Sequence, residues 1–347
     1  MKNTLGILLV TYNRKEYLKR TFKQILAVDS PIKDLDITIL DNASTDGSSE
    51  LIDEYSKSFP NIKHIRHVAN IGGNANICRA FELAASSGKE YVWVLCDDDK
   101  YNFSNWDEVK SSIDNKDDII CVADYVFPNE ESKKDFAYQL LQLTFVPAGI
   151  YKISNLSDTV LTNMYDSIYT MFQQVCLTIN VFNKYKKITV LSTPIVCSGL
   201  CFDDRCEDVS YTRGSIVTDT LKRKQDTSWL LGYSNVLSLL KDKKTITRCM
   251  DVAIKSPYIC GSWDSFYKFL FKNYINIHDF HYYFEICKCL SPISNLTYFF
   301  KFVLRQLFSI RNSDLKHKRL TICFMNISFK RKPKKHYKKA VSEKQLN

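Results

Sequence analysis

The sequence predicts an α/β protein with a mostly parallel β-sheet flanked by helices, followed by a helical, aromatic-rich C-terminal region. Over residues 1–125, short apolar runs alternate with segments in which apolar residues recur every three to four positions, as in amphipathic helices. The apolar runs are continuous, as in strands that are buried on both faces of a sheet. Regular strand–helix alternation is typical of parallel sheets covered by helices.

Five predicted strands and four predicted helices alternate along this part of the chain. The strands are LGILLVTY, DITILD, IKHIRHV, YVWVLC and DIICVADYVF. Helices are predicted in RKEYLKRTFKQILAV, in NASTDGSSELIDEYSKSF after Ser and Asp residues suited to capping, in NANICRAFELAASSG up to Gly88, and in WDEVKSSID. A helix therefore joins each strand to the next.

The pattern is less regular beyond residue 125. The segment QQVCLTINVFN is predicted as a further strand, CFDDRCEDVSYTRG as an acid-rich loop, and the chain after Thr227 as mainly helical. We divide the chain into an α/β domain over residues 1–225, a helical region over 226–310 and a basic tail over 311–347. Within the domain, residues 1–125 form the first half and 126–225 the second.

The net charge of +10 is confined to the predicted tail. From Arg311 to the end there are twelve Lys and Arg residues and two acidic ones, so the preceding residues balance to zero. A nucleic-acid-binding body is therefore not indicated. The twelve cysteines show no CxxC spacing, the N-terminal apolar run is too short for a secretory signal, and no apolar run reaches membrane-spanning length. These features predict a cytoplasmic protein with reduced thiols.

Polar clusters follow the first four predicted strands. Ligands of parallel sheets bind outside the carboxyl ends of the strands, so we expect these clusters to meet at one rim of the sheet. They are Thr11-Tyr12-Asn13-Arg14, Asp41-Asn42, Asn70 with Gly72 and Gly73, and Asp97-Asp98-Asp99.

The three consecutive aspartates suit a divalent cation. Carboxylate oxygens are ligands for Mg²⁺ or Mn²⁺, which commonly share a phosphate-bearing substrate with one or two protein carboxylates. The alternative is an acidic turn. Asp41 could accept from a base or a ribose, or could instead cap the helix that follows it.

The other clusters offer groups for a nucleotide. Thr11 and Tyr12 supply a hydroxyl and an aromatic platform, or else a turn with a packed ring. Gly72 and Gly73 allow close backbone approach before a helix N-terminus, which favours anions, or form a simple connection. No GxGxxG follows the first strand and no GxxxxGK[ST] is present, which excludes a Rossmann dinucleotide site and a P-loop. The arrangement favours one nucleoside diphosphate with a metal ion.

A family resemblance is carried by four segments in order: LLVTYNRKEYLKRTF, ITILDNASTDGS, NIGGNANICRAF and YVWVLCDDD. They resemble the donor-binding half of family 2 glycosyltransferases, which have the GT-A fold, over roughly residues 4–125. The form NIGGNANI is similar to the bacterial abequosyltransferase-like and rhamnosyltransferase-like branches. The resemblance implies an inverting, metal-dependent enzyme that moves a sugar from a nucleoside diphosphate, with a UDP-sugar favoured, to a hydroxyl of a cell-surface polysaccharide or lipid-linked glycan.

The resemblance also implies roles for individual residues. Members often read LDADD where this chain reads LCDDD, so Cys96 stands in the place of the first aspartate. The metal ligand could then be Asp98 or Asp99, whereas a literal DxD motif takes Asp97 and Asp99. We expect Mn²⁺ or Mg²⁺ on Asp97 and Asp99, and the nucleotide sugar on Thr11, Tyr12, Asn13, Asp41, Asn70, Gly73, Asn76, Asp97 and Asp98.

A candidate general base lies in RCEDVSYTR, which is similar to the family pattern EDVDLxxR, with Ser210 in place of its second aspartate. We expect Asp208 to be the base, together with Glu207 in the catalytic site. Asp203 and Asp204 are alternatives, as is a solvated loop in which the acids pair with arginines.

The end of the chain suggests a membrane contact. In a helix, Leu296, Phe299, Phe300, Val303, Leu304 and Leu307 would share one face, ahead of KHKR and KRKPKKHYKK. We predict a peripheral anchor on the anionic inner face of the cytoplasmic membrane, with core packing or polyanion binding as alternatives.

Two other function classes remain open. A nucleotidyltransferase on a similar sheet would usually carry a glycine-rich segment after the first strand, which TYNRKE lacks. A non-catalytic protein of the same fold would not need the aspartates and the ED pair.

Overall fold

The computed structural model describes residues 1–198 and 229–256, and the backbone of residues 308–312, 317–322 and 325–330. The strands are β1 (Leu5–Thr11), β2 (Ile37–Asp41), β3 (Ile62–Arg66), β4 (Tyr91–Cys96), β5 (Lys100–Tyr101), β6 (Ile119–Cys121), β7 (Gly149–Lys152), β8 (Ile188–Val190), β9 (Val196–Cys197), β10 (Phe308–Asn312), β11 (His317–Ile322) and β12 (Met325–Lys330). The helices are α1 (Lys15–Ile25), α2 (Ser48–Ser58), α3 (Gly73–Ala85), α4 (Trp106–Asp114), α5 (Phe136–Gln142), α6 (Asp158–Asp166), α7 (Val175–Asn183), α8 (residues 229–237) and α9 (Lys243–Lys255).

Seven strands form one sheet in the order β3-β2-β1-β4-β7-β6-β8. Only β7 runs against the others, pairing antiparallel with β4 and β6, so the predicted mostly parallel sheet is confirmed. The strand β4 has five fully buried residues in succession, as expected for a strand covered on both faces.

Helix α1 shows why the amphipathic segments lie on this sheet. Leu18, Phe22 and Ile25 are completely buried and recur at the three- to four-residue spacing of one helix face. Phe22 also contacts Tyr55 of α2, with 4.5 Å between ring centroids. Burying one such apolar side chain contributes about 1.5–3 kcal/mol, so this face fixes the helix on the strands.

The prediction of a strand over QQVCLTINVFN is wrong, because this segment forms α7. Helix α7 is buried on nearly every side, so its apolar residues show no amphipathic period that would distinguish it from a buried strand. The sheet instead contains β7, a short antiparallel strand that the sequence did not reveal.

Two predicted boundaries also differ. The predicted strand DIICVADYVF forms β6 only over Ile119–Cys121. Helix α3 ends at Ala85, and Gly88 lies beyond it in a turn with φ +73°. The turn requires a glycine, but the helix stops earlier.

A two-stranded antiparallel ladder ties two distant segments together. Strand β5 follows the aspartate triplet directly and pairs with β9, with Lys100 opposite Cys197 and Tyr101 opposite Val196.

The C-terminal region is partly as predicted. Helices α8 and α9 agree with the helical region, but β10, β11 and β12 form an antiparallel sheet where the tail was expected to begin. The domain boundaries at 225 and 310 stay predictions. The predicted helix face from Leu296 to Leu307 lies outside the described residues, and none of the described helices combines the length and apolarity needed to span a bilayer.

Candidate active site

The register of the sheet brings the polar strand ends together. Thr11 lies opposite Asp41 on the neighbouring strand β2, and Val10 lies opposite Cys96 on β4. The hydroxyl of Thr11 donates to Asp97 Oδ2 at 2.6 Å. Three of the four predicted clusters therefore meet at the carboxyl ends of adjacent strands.

The fourth cluster joins them through amide side chains. Asn42 Nδ2 donates to Asn70 Oδ1 at 2.8 Å, and the Ile71 backbone N–H donates to Asn42 Oδ1 at 2.9 Å. The N–H of Gly72 donates to the same Asn70 oxygen at 2.8 Å. These bonds fix the loop between β3 and α3 against the end of β2.

The aspartate triplet is more buried than an acidic turn would be. Asp97 and Asp99 are each 3% exposed, and the side chain of Asp98 is 21% exposed. Helix α1 holds the backbone of the triplet: Thr21 Oγ1 donates to the Asp97 carbonyl at 2.8 Å, and Gln24 Nε2 to the Asp99 carbonyl at 3.2 Å. The triplet therefore has a fixed position at the end of β4.

Arg14 is a cation that contacts two of these acids. Its Nη1 donates to Asp97 Oδ1 at 3.1 Å and to Asp98 Oδ2 at 2.5 Å. Burial alone would lower the pKa of Arg14, but the charges of Asp97 and Asp98 outweigh it and raise that pKa above its usual range. Arg14 belongs to the first predicted cluster, but no pattern in the sequence indicates a role for it.

The electrostatics of the triplet follow from its burial. Burial raises the pKa of Asp97 to about 6, although Arg14 and the Thr11 hydroxyl act in the opposite direction. Burial and the three neighbouring carboxylates raise the pKa of the Cys96 thiol well above its usual value. Cys96 is therefore a neutral thiol and does not replace the carboxylate that the family often carries there.

The donor set fits a divalent cation. Asp97 Oδ1 and Asp98 Oδ2 converge on a single point, which the positive charge of Arg14 takes in this structure. Carboxylate oxygens are suitable ligands for Mg²⁺ or Mn²⁺. Within residues 1–198 and 229–256, no three His, Cys, Asp or Glu side chains form a complete metal site, so a bound substrate would have to supply further ligands. The predicted ligand pair Asp97 and Asp99 stays a prediction.

Asp41 is fully buried, and turn contacts occupy its carboxylate. The Ser44 N–H donates to Oδ1 at 2.9 Å, Ser49 Oγ donates to Oδ2, and Arg66 Nε lies 3.5 Å from Oδ2. Burial by itself would raise the pKa of Asp41, but His64, Ser44 and Ser49 hold it well below its usual range. These contacts are those of the turn alternative, and its contact with a base stays a prediction.

Asn76 and Asn13 also serve the local structure. Asn76 is 2% exposed: its Oδ1 accepts from His67 Nε2 at 2.8 Å, and its Nδ2 donates to the Leu40 carbonyl at 3.2 Å. Asn13 has φ +49°, and its Oδ1 accepts from the Thr45 N–H at 2.7 Å. Their predicted roles in donor binding are not tested by these contacts.

Open space remains at two positions on the rim. A Cβ atom added to Gly72 or Gly73 would meet no atom within 4 Å, so the first turn of α3 faces an open region. Tyr12, beside the end of β1, is 41% exposed. An anion could thus approach the α3 N-terminus, while an aromatic platform is accessible nearby. The predicted catalytic residues Glu207 and Asp208 lie outside the described residues.

Comparison with known proteins identifies a family and several relatives. The model of glycosyl transferase family 2 matches residues 6–177. Abequosyltransferase RfbV of Salmonella typhimurium is 32% identical over 117 residues, which cover 33% of this chain and 34% of that protein. The poly(ribitol-phosphate) beta-glucosyltransferase of Bacillus spizizenii is 23% identical over 198 residues, covering 54% of this chain and 30% of that protein. The chain thus matches about a third of the length of each of these relatives.

Solved structures show the same fold. Residues 1–349 of S. aureus TarS superpose with a TM-score of 0.57 at 11% identity, covering 94% of this chain and 99% of that one. The same protein in complex with UDP-GlcNAc gives a TM-score of 0.56 at 12% identity, with the same coverage. The expected GT-A fold is confirmed, and through residues 6–177 the chain belongs to glycosyl transferase family 2.

Proposed function

We propose that this protein is an inverting glycosyltransferase that uses a divalent cation and a nucleoside diphosphate sugar, with a UDP-sugar as the favoured donor. The acceptor is a hydroxyl of a growing cell-surface polysaccharide or lipid-linked glycan. The observation that carries the proposal is the convergence of Asp97 and Asp98 at the rim, beside Thr11 and the open N-terminus of α3.

Different residues of the rim bind different parts of the donor. Asp97 with Asp98 or Asp99 would hold Mn²⁺ or Mg²⁺, whose chemistry when bound is to offset the negative charge that develops on the departing diphosphate. The N–H groups at the start of α3, opened by Gly72 and Gly73, bind an anionic group. Thr11, Tyr12, Asn13 and Asp41 flank the nucleoside, and Asn70 and Asn76 line the sugar side.

Transfer with inversion needs a base for the acceptor. The acceptor hydroxyl attacks the anomeric carbon, the bond to the diphosphate oxygen breaks with its electron pair, and the hydroxyl proton passes to a carboxylate. We assign this carboxylate to Asp208, with Glu207 beside it. Fixed positions for Asp97 and Thr11 keep the donor oriented, which lowers the entropic part of the barrier.

The named relatives support a role in glycan synthesis. One is an abequosyltransferase, one a glucosyltransferase of poly(ribitol-phosphate), and one structural neighbour is a complex with UDP-GlcNAc. All three names describe sugar transfer or a sugar nucleotide, which is the chemistry proposed for this rim.

A panel of UDP-, GDP-, CDP- and dTDP-sugars with Mn²⁺ and a lipid-linked acceptor tests the proposal. We expect one donor to release its nucleoside diphosphate and to extend the acceptor. Asp97→Asn should lower kcat/KM at least a hundredfold, because the cation loses a ligand and about 2.7 kcal/mol of transition-state stabilisation. Asp114→Asn, at the far end of α4, is the matched control and should keep full activity.

Two results would contradict parts of the proposal. No release from any donor by a folded protein would favour a non-catalytic role. If Asp208→Asn kept full turnover while Asp97→Asn lost it, the base would be a different residue.

A further inference from the structure

Arg14 is a charged residue of the rim to which the proposed reaction assigns no role. It lies immediately before α1, and its side chain is 35% exposed. Its guanidinium bridges two carboxylates that come 83 and 84 residues later in the chain. The bridge is therefore a tertiary contact between the end of β1 and the end of β4.

The bridge compensates charge that the fold concentrates. Three consecutive carboxylates lie at the end of β4, and two of them are almost completely buried. Without a cation they would repel one another, and at least one would resist ionisation. In this structure Arg14 supplies positive charge to Asp97 and Asp98, so it is an internal counterion of these two carboxylates.

Arg14 and a divalent cation cannot hold the same pair of oxygens. A single nitrogen of Arg14 contacts both Asp97 Oδ1 and Asp98 Oδ2, so the guanidinium takes the point on which they converge. The positive charges of the guanidinium and of a metal ion on the same two oxygens would also repel each other strongly in a partly buried site. Arg14 must therefore leave the carboxylates when they bind a metal ion.

A phosphate is the suitable new partner for the released guanidinium. Arginine binds phosphate oxygens through two parallel hydrogen bonds, and the donor's diphosphate would reach the same rim as the carboxylates. The side chain is exposed enough to move, and its backbone is fixed by the Leu18 N–H, which donates to the Arg14 carbonyl at 2.9 Å. Only the side chain has to change position.

We propose that Arg14 is an exchangeable counterion, which holds Asp97 and Asp98 in the free protein and passes to the diphosphate when those carboxylates bind the cation. The inference rests on the metal–diphosphate site of the proposed function. It makes metal and nucleotide binding cooperative, because the cation alone must displace Arg14 into water, whereas the diphosphate offers it a partner. By linkage, bound metal increases the affinity for the nucleotide by the same factor as bound nucleotide increases the affinity for the metal.

The test is the affinity for Mn²⁺ itself, read from the electron paramagnetic resonance signal of free Mn²⁺. Titrations are done without nucleotide and with whichever of UDP, GDP, CDP or dTDP binds most tightly. In the wild-type protein we expect the nucleotide to increase Mn²⁺ affinity about tenfold or more, within the usual range of coupling between sites. In Arg14→Met we expect Mn²⁺ without nucleotide to bind about tenfold more tightly, and the gain from nucleotide to shrink correspondingly.

Arg20→Met is the matched control. Arg20 lies in α1, the helix that begins directly after Arg14. Like Arg14, it lies over the Tyr17 ring, with 5.0 Å from its guanidinium carbon to the ring centroid. It should behave as the wild type. Arg14→Lys keeps a positive charge and should not gain Mn²⁺ affinity. If Arg14→Met does not fold, Arg14→Gln keeps one donor for Asp97 and carries the same expectation.

The outcomes separate this inference from the proposed function. If the wild type binds Mn²⁺ with nucleotide but Arg14→Met binds it no more tightly without nucleotide, the exchange is wrong and the metal–diphosphate site stands. If neither folded protein binds Mn²⁺ with any of the four nucleotides, the site is wrong and the exchange with it.

Discussion

His64 lies between two carboxylates of very different burial. Its Nδ1 is 2.8 Å from Asp53 Oδ1, whose side chain is 62% exposed, and its Nε2 is 3.8 Å from the fully buried Asp41. Asp41 makes the largest contribution to raising the pKa of His64, burial lowers it, and Asp53 raises it further. The protonated form of His64 is therefore favoured in the folded protein.

This shift predicts how stability depends on pH. Because folding raises the pKa of His64, the protonated ring stabilises the folded protein. This contribution to the free energy of unfolding is complete below the unfolded pKa of about 6.5, and it is lost as the pH rises through the folded pKa. The free energy of unfolding, measured by urea denaturation, should be lower at pH 8.5 than at pH 6. His64→Gln should remove most of this difference. An unchanged difference in that variant would show that another group titrates.

The site was predictable at the level of residue type and chain position, but not of contacts. Buried strands followed by Thr11, Asp41 and Asp97 located the rim, because parallel strands end on the same side of a sheet. The pairing of Arg14 with Asp98 depends on how far β1 and β4 extend next to each other, which no local pattern encodes. The same holds for Asn76, whose bond to His67 requires α3 to lie over β2.

At the scale of elements, the start of α3 depends on one backbone conformation. Gly72 has φ +86° and ψ 151°, a region that is open to glycine and costs other residues roughly 1–3 kcal/mol. Gly73 is the first helical residue, and a Cβ there meets no atom within 4 Å. The two neighbouring glycines therefore have different requirements.

Alanine at each position tests this difference. Gly72→Ala should lower the free energy of unfolding by about 1–3 kcal/mol, because the left-handed conformation becomes strained. Gly73→Ala should be neutral or stabilising by up to about 1 kcal/mol, since alanine favours the helix. Urea denaturation of both variants gives the comparison. Equal losses would mean that the conformation at Gly72 is not what the position requires.

The elements themselves were predictable where their periodicity was clear. Helices α1 to α4 carry one buried face each or a distinct polar start, and their strands are bounded by turn residues. Helix α7 was mistaken for a strand because burial on all sides removes the period that marks a helix. Strand β7 has four residues and pairs antiparallel, so neither length nor alternation could reveal it.

At the scale of the whole molecule, positive charge is concentrated after the last described strand. Residues 331–347 contain seven Lys and Arg residues and one acidic residue. Each basic residue near an anionic membrane contributes about 1 kcal/mol of attraction. A chain that ends at Lys330 keeps β10, β11 and β12 and lacks +6 of the tail's net charge of +10.

Sedimentation with vesicles tests the predicted membrane contact. The full chain should pellet with vesicles that contain phosphatidylglycerol, and less so as salt rises, because the attraction is screened. The chain ending at Lys330 should stay largely in the supernatant. Neither chain should pellet with neutral phosphatidylcholine vesicles. Equal pelleting of the two chains would place the contact elsewhere or exclude it.

The short ladder between β5 and β9 has a consequence for how the two halves of the chain cooperate. It attaches the segment that leads to Glu207 and Asp208 directly behind the aspartate triplet, ten residues before Glu207. For the base that we propose at Asp208, such an anchor close by in the sequence would keep the entropic cost of reaching the donor low, because this cost grows slowly with the length of the connecting chain. If Asp208 is the base, the ladder would then raise its effective concentration at the donor, as a tether does for a linked ligand.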